Sequence, residues 1–154
     1  MTAKLREMEL HHVDPVRLLF QSRHPGLSGY SAEPEWFTNA RNGGIVLAPW
    51  LRGSVLATME AKFVKDAYFV VVSVMGLYMT DEQASAQAQE FSNEVDGSTL
   101  DEAPDEDRQE FLLKVVDDLF PFLRAELYAL SGRMQGVTGV MLQPRPLIEA
   151  TSPD

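Results

Sequence analysis

The chain has 154 residues, of which 45% are hydrophobic, and it carries a net charge of −10 and no cysteine. This length and composition are typical of one globular domain, and the lack of cysteine excludes a disulfide framework and a thiolate metal site. The first residues, Met1–Glu7, lack the apolar core of a secretory signal, and the longest apolar run, residues 67–79, is too short to span a bilayer. We therefore expect a cytoplasmic protein that does not insert into a membrane.

The first strand is predicted over Glu9–Gln21, where Pro15 favours an edge position or a bulge. Trp36 and Phe37 follow in a polar segment that we predict to be a loop, before the turn signal Asn42–Gly44. These two aromatic residues either cap the sheet or contact a bound chain. The sequence alone leaves both interpretations open.

Apolar and polar residues mostly alternate from Leu51 to Phe63, which predicts a strand with one solvated side. A tight turn is expected at Lys65–Asp66. The next run, Tyr68–Met75, is β-branched and aromatic on both sides and so predicts a central strand. Residues 9–80 are therefore interpreted as mainly antiparallel sheet of about four strands.

Residues 81–104 form an acidic connector whose secondary structure the sequence leaves open. Thr80 and Gln83 form a capping box, and Ala84, Ala88, Phe91 and Val95 follow at helical spacing, which favours a helix over a strand. Residues 81–110 contain 11 acidic residues and one basic residue, a charge that repels nucleic acid. The acidic run is interpreted either as a solvated surface or as a site for a basic partner. The candidate partner-binding residues are Asp101, Glu102, Asp105 and Glu106.

The strongest pattern is a long helix over residues 105–132, with apolar side chains at three- and four-residue steps. Pro121 lies inside it, and because proline lacks an N–H and crowds the carbonyl of Asp117, a kink is expected there. Gly132 is suited to the C-terminal cap. The helix is expected to pack on one face of the sheet, giving an α+β fold, with residues 133–154 as an irregular tail.

Ionisable residues do not form a convincing catalytic or metal-binding arrangement. His11 and His12 are adjacent, so on a strand they point to opposite faces. Asp117 and Asp118 are adjacent on a helix and diverge by about 100°. We therefore expect no enzymatic activity, no metal and no cofactor.

Several segments resemble the SecB family of protein-export chaperones. Leu119–Arg124, with Asp117–Asp118 before it and Ser131–Arg133 after it, is similar to the long helix of that family. Leu10–Gln21 is similar to its first strand, and Trp36 falls where the family has a crossover-loop tryptophan. The resemblance implies a single SecB-like domain over 1–154, helices on one face of a four-stranded sheet, a homotetramer built as a dimer of dimers, and ATP-independent binding of unfolded polypeptide.

The resemblance does not extend to docking of the motor protein SecA. The acidic first-strand positions that dock SecA in the export chaperone align with Arg17 and Gln21 here. A reversed charge and a lost charge do not complement the same basic partner, so SecA is a doubtful partner for this chain.

We therefore predict a holdase that binds non-native polypeptides through exposed, adaptable apolar side chains. The alternatives are a dedicated module for one partner, such as an antitoxin-specific or secretion-specific chaperone, and a carrier for a small apolar ligand. Met59 and Met75 are expected in the core. The candidate client-binding residues are Trp36, Phe37, Trp50, Met134, Val137 and Met141.

Overall fold

The computed structural model describes residues 5–22, 33–65, 68–87 and 94–132 and has an α+β fold, as predicted. Its strands form one antiparallel sheet in the order β1-β4-β3-β2-β5. No helix in the described ranges is long and apolar enough to cross a membrane. The strands are β1 (Glu9–Ser22), β2 (Gly44–Leu51), β3 (Val55–Lys65), β4 (Tyr68–Met79) and β5 (Val95–Asp96). The helices are α1 (Glu35–Thr38), α2 (Asp81–Gln87), α3 (Ser98–Asp101) and α4 (Asp105–Gly132), and a 3-10 turn spans Leu5–Glu7.

The expectation of about four strands is confirmed, since β5 adds a pairing of only two residues to β2. The edge position predicted from Pro15 is also confirmed, because β1 is an edge strand and its register with β4 shifts between Pro15 and Arg17. Proline has no backbone N–H to donate, so a position beside a register shift suits it.

The strand predicted from Leu51 to Phe63 is confirmed over Val55–Phe63, but its predicted start is wrong. Leu51 ends β2, and β3 starts at Val55 after a tight turn in which Arg52 and Gly53 have φ of 56° and 78°. Gly44–Leu51 forms β2, a strand that the sequence does not predict. The turn expected at Lys65–Asp66 falls partly outside the described residues.

The main hydrophobic core lies between α4 and one face of the sheet, which we call the first face. The predicted bounds of the helix are confirmed, and its apolar side packs on alternate residues of β3 and β4. Leu119 is fully buried above Gly76, where a Cβ atom would lie 2.8 Å from Leu119 Cδ2. The helix continues through Pro121, whose side chain is exposed rather than within the buried stripe. Met59 is buried in this core, as predicted.

The N-terminal turn is attached to α4 by polar contacts. Lys114 donates to the carbonyl of Met8 at 2.6 Å and pairs with Glu9 at 2.8 Å. Arg6 pairs with Asp107 at 2.8 Å, a surface contact of small expected energy. Because Leu5 and Met8 are also buried in the core, this turn forms part of the hydrophobic core.

The acidic connector folds onto the turn between β2 and β3. The capping box at Thr80 and Gln83 forms as predicted, with N–H···O distances of 2.9 and 3.2 Å. Gln83 also donates to the carbonyl of Arg52 at 3.0 Å, and the buried Thr99 hydroxyl donates to the carbonyl of Gly53 at 2.8 Å. The preference for helix over strand is confirmed for 81–87. Extending it to Val95 is wrong, because that residue lies in β5.

Tyr78 gives the fold a predicted sensitivity to alkaline pH. Its side chain is fully buried and donates to Asp118 at 3.2 Å. Burial, reinforced by the Asp118 carboxylate, raises the pKa of the Tyr78 phenol far above its ordinary value. The unfolded chain ionises at about pH 10 while the folded chain does not, so Tyr78 should cost about 1.4 kcal/mol of stability per pH unit above that point.

Urea unfolding at a series of alkaline pH values would measure this loss. We expect a smaller pH slope for Tyr78→Phe, because phenylalanine has no proton to release. Equal slopes for Tyr78→Phe and the parent protein would show that this phenol does not carry the effect.

Candidate functional site

The sheet has a second face that α4 does not cover. Side chains alternate along a strand, so the residues of β4 that face α4, such as Val72 and Val74, alternate with Val71, Ser73, Met75 and Leu77 on the other side. Antiparallel register places directly paired residues on the same face. The register therefore assigns alternate residues of β1, β2 and β3 to this second face.

One end of the second face is covered by α1. Phe37 is only 6% exposed and packs on Phe69, with ring centroids 5.1 Å apart, and on Val71. Lys62 extends over the ring, with Nζ 5.2 Å from its centroid, and donates to the Phe37 carbonyl. Trp36 packs beside this cluster and is half-buried. The prediction of a loop here is wrong, because both aromatic residues lie on a one-turn helix.

Phe37 therefore caps this end of the sheet as part of a small core, which is one of the two interpretations left open by the sequence. Its burial contradicts the other, in which its side chain is presented to a client. The reason is the adjacent Phe69 and Val71, which give this end of the sheet an apolar surface for α1 to bury. Trp36, half-buried at the margin of the same cluster, keeps part of its ring accessible.

A polar row crosses the second face beside the α1 cluster. Ser73 is paired with Arg17 on β1 and with Glu60 on β3, and Arg17 and Glu60 approach to 3.8 Å across it. Glu60 also accepts the backbone N–H of Arg41 at 2.9 Å. This row separates the cluster around Phe37 from the rest of the face.

Beyond the polar row lies an apolar surface that we call the second-face patch. It combines paired positions of neighbouring strands, since Leu56 is paired with both Ala48 and Leu77. All its side chains are half-buried except Trp50, which is 37% exposed, and none belongs to either hydrophobic cluster of the described residues. The patch consists of Val46, Ala48, Trp50, Leu56, Met75 and Leu77.

Met75 was expected in the core together with Met59, and the structure contradicts this for Met75. Its neighbour Val74 faces α4, so alternation directs Met75 to the second face, where it is half-buried. Along β4 both faces are apolar, and a sequence of this kind does not reveal which one a helix covers.

Polar groups border the patch. On the β1 side, His12 and Asp14 are paired with Leu77 and Met75, and their side chains are joined at 2.7 Å. At the opposite border Asp96 is paired with Trp50. Hydrogen bonding from Ser98 lowers the pKa of the exposed Asp96 carboxyl, which therefore stays ionised at neutral pH.

The predicted client-binding residues are thus not brought together as one group. Trp50 lies on the second-face patch, Trp36 lies across the polar row from it, and Phe37 is in a core. Met134, Val137 and Met141 lie outside the described residues. Four patch residues were not anticipated (Val46, Ala48, Leu56 and Leu77). The sequence feature that could have identified them is that they are apolar at strand positions where a solvated face normally has polar side chains.

The predicted partner-binding acids lie together at the junction of α3 and α4. Asp101, Glu102, Asp105 and Glu106 are all exposed, on either side of Pro104. Arg108 crosses the junction and donates to the carbonyl of Leu100 at 2.6 and 3.0 Å. The acids are therefore close to one another, and Arg108 fixes the backbone that carries them.

A second apolar surface lies on β1 near its C-terminal end. Val16, Leu18 and Phe20 are each 39–56% exposed, and the Phe20 ring lies 6.3 Å from that of Tyr68. We call these three residues the β1 strip. In the described part of the chain β1 is paired on one side only, so the strip lies on an open sheet edge.

Neither a metal-binding cluster nor a protein of known function helps to identify the function of this site. No group of three or more histidine or carboxylate residues in the described ranges is arranged to hold a metal ion. No family model matches the chain, and no curated protein matches it. It is similar to the crystal structure of a protein of unknown function from Streptococcus agalactiae, with 11% identity, a TM-score of 0.48, and coverage of 89% of this chain and 97% of that one.

Proposed function

We propose that this protein is an ATP-independent holdase of the SecB-like kind, which binds non-native polypeptides on the second-face patch and performs no reaction on them. The observation that carries this proposal is the set of apolar side chains on one sheet face that joins neither core cluster. Contiguous apolar surface on a folded domain is costly to leave in water and marks interaction sites.

The chemistry of the patch suits clients of many sequences. The six side chains are aliphatic except Trp50 and Met75, and they carry no charge. Thr58, which is paired with both Val46 and Met75, places one uncharged polar side chain between them. Methionine adapts its shape to different partners, and tryptophan offers a large ring with a polar N–H. Such a surface selects for apolar segments in general rather than for one sequence.

A double substitution in the middle of the patch tests the proposal. Leu56→Ser with Leu77→Ser should weaken binding to two unrelated unfolded proteins, because each leucine loses contact area with the client. Full burial of a leucine contributes roughly 1.5–3 kcal/mol, and the double variant loses part of this at two positions. The holdase concentration needed to halve client aggregation should therefore rise about tenfold or more. Light scattering of the clients, without nucleotide, measures this.

Leu113→Ser is the matched control, because Leu113 is 57% exposed on α4 and far from the second face. It should suppress aggregation as well as the parent protein. If the parent protein fails to protect either client, the proposal is wrong. If it protects one client only, and neutralising Asp101, Glu102, Asp105 and Glu106 abolishes that protection, the dedicated module replaces the holdase.

Assembly and compartment belong to the same proposal. A homo-oligomer, dimeric or tetrameric, would bury the β1 strip, whose exposed apolar side chains lie on an open edge. A cytoplasmic location agrees with a chain that has no cysteine.

A further inference from the structure

The two long edges of the sheet differ in how they are protected against pairing with another chain. Exposed edges are normally blunted by charged side chains, proline or bulges. Along β1 these features are present as Asp14, Arg17, Pro15 and two register shifts. Along β2 they are nearly absent, because the chain has no charged residue between Arg41 and Arg52.

On its outer side, β2 is paired only at its last residues in the described part of the chain. β5 pairs with Trp50 and Leu51, and the pairing ends there. The residue of β2 just before this pairing, Pro49, has no N–H to donate, and Gly97, the N-cap residue of α3, lies so close that a Cβ added to it would be 3.8 Å from the Pro49 Cβ. The edge of β2 over residues 44–48 is therefore adjacent, on the same side of the strand, to the residues that pair with β5.

The phase of the hydrogen bonds identifies which groups face outward. The Trp50 N–H donates to the carbonyl of Ser54 at 2.9 Å, which makes Trp50 a hydrogen-bonded position toward β3. In an antiparallel ladder such positions alternate, so Val46 and Ala48 also point their N–H and C=O groups toward β3. The backbone groups of Ile45 and Leu47 consequently point away from the sheet.

This edge borders the second-face patch. Val46, Ala48 and Trp50 belong both to β2 and to the patch, so a strand added to the edge would direct every second side chain to the same side as them. Main-chain pairing would supply affinity that is independent of sequence, while the patch would favour apolar side chains at alternate positions.

We propose that the outer edge of β2, at Ile45 and Leu47, pairs with an extended segment of non-native polypeptide, which joins the sheet as an additional strand and places alternate side chains against the second-face patch. This inference rests on the proposed holdase function and specifies how the client is held. The client therefore needs an extended conformation and free backbone N–H groups.

The test compares two labelled peptides of the same sequence, Ser-Leu-Ser-Leu-Ser-Leu-Ser, one of which carries N-methyl groups on its three central residues. N-methylation removes the backbone donors but retains the side chains. Fluorescence anisotropy with the full chain should show the methylated peptide binding roughly tenfold more weakly, as expected for the loss of a few backbone hydrogen bonds. Equal affinity for both peptides would overturn the proposal.

Hydrogen exchange followed by NMR locates the pairing on the protein. Binding of the unmethylated peptide should slow exchange of the Ile45 and Leu47 amides, whereas the Val46 and Ala48 amides, which already bond to β3, should change little. Unchanged exchange at Ile45 and Leu47 on binding would overturn the proposal. The edge could instead be occupied by a second copy of the chain. In that case the Ile45 and Leu47 amides would already exchange slowly without peptide, and their protection would increase with protein concentration. That result would likewise overturn the proposal.

A charge placed on the edge provides the matched variants. Val46→Lys introduces the kind of charge that protects natural edges and should weaken peptide binding roughly tenfold. Val64→Lys makes the same change at an exposed position of β3 near α1, and its affinity should equal that of the parent protein. Equal affinity for Val46→Lys and the parent protein would overturn the edge mode.

The same experiments separate the two proposals. If both peptides bind equally and Leu56→Ser with Leu77→Ser abolishes binding, the patch binds clients but the edge does not pair with them. If neither peptide binds and aggregation of unfolded proteins is not suppressed, the holdase function itself is wrong.

Discussion

Replacing Leu119 by alanine is expected to lower the free energy of unfolding by about 2–5 kcal/mol, the range for a leucine removed from a rigid core. Leu119 is fully buried, and it packs directly above Gly76, where the helix and β4 approach closely. The cavity cannot close easily, because the glycine below it has no side chain that could move to fill the space. Urea unfolding monitored by tryptophan fluorescence and by circular dichroism gives the value.

Leu113→Ala is the control for this prediction. It removes the same atoms from the same helix at a position that is 57% exposed, so the expected change is within about 0.5 kcal/mol. Similar losses for the two variants would mean that α4 is not packed on the first face through Leu119.

Replacing Gly53 by alanine should cost about 2–5 kcal/mol of stability, from two causes. Gly53 has φ of 78°, a left-handed conformation that costs an L-residue about 1–2 kcal/mol. An added Cβ would also lie 2.8 Å from the hydroxyl oxygen of Thr99, which is buried and bonded to the Gly53 carbonyl. Displacing that hydroxyl leaves buried polar groups unpaired, a further cost of about 1–3 kcal/mol.

Gly43→Ala separates these two causes. Gly43 has nearly the same φ, 80°, but a Cβ there would meet nothing within 4 Å. Its loss of stability should therefore be only the conformational part, about 1–2 kcal/mol. If the two glycine variants lose the same amount in urea unfolding, the contact between Thr99 and the β2–β3 turn is not a significant source of stability.

The sequence predicted the elements whose own residues determine them. The apolar spacing and Gly132 defined α4, and the capping box at Thr80 and Gln83 defined the start of α2. These are local signals in which side chains satisfy backbone groups a few residues away. Pro15 similarly indicated an edge strand, because a missing N–H has a local effect on pairing.

The sequence does not predict β2, because some of its residues favour a turn and others favour a strand. Glycines at positions 43 and 44 and the proline at position 49 are typical of turns, yet Gly43 ends a turn and Pro49 occupies a position whose N would point outward. A proline fits a strand where its N points away from the neighbouring strand. Whether the N of Pro49 does so is set by the register of β2 with β3. Pairing with β3 therefore decides whether this segment is a strand, and the residues of β2 alone do not reveal that pairing.

The candidate site was predictable only in part for the same reason. Trp50 was identified from its type, but the patch around it is assembled from three strands whose register was not known. Leu56 lay at a position expected to be polar, which in hindsight marks an apolar surface. For Phe37 the choice between capping the sheet and contacting a client stays open in the sequence, because the sequence does not reveal that Phe69 and Val71 lie beneath it.

The order of the elements along the chain has a consequence for biosynthesis. All four long strands precede α4, and the first-face core is completed only by that helix, residues 105–132. While the ribosome is still producing the final third, the emerging sheet has no helix on its first face and presents apolar side chains on both sides. The stretch of synthesis before α4 is complete is therefore the period in which the chain is most prone to aggregate.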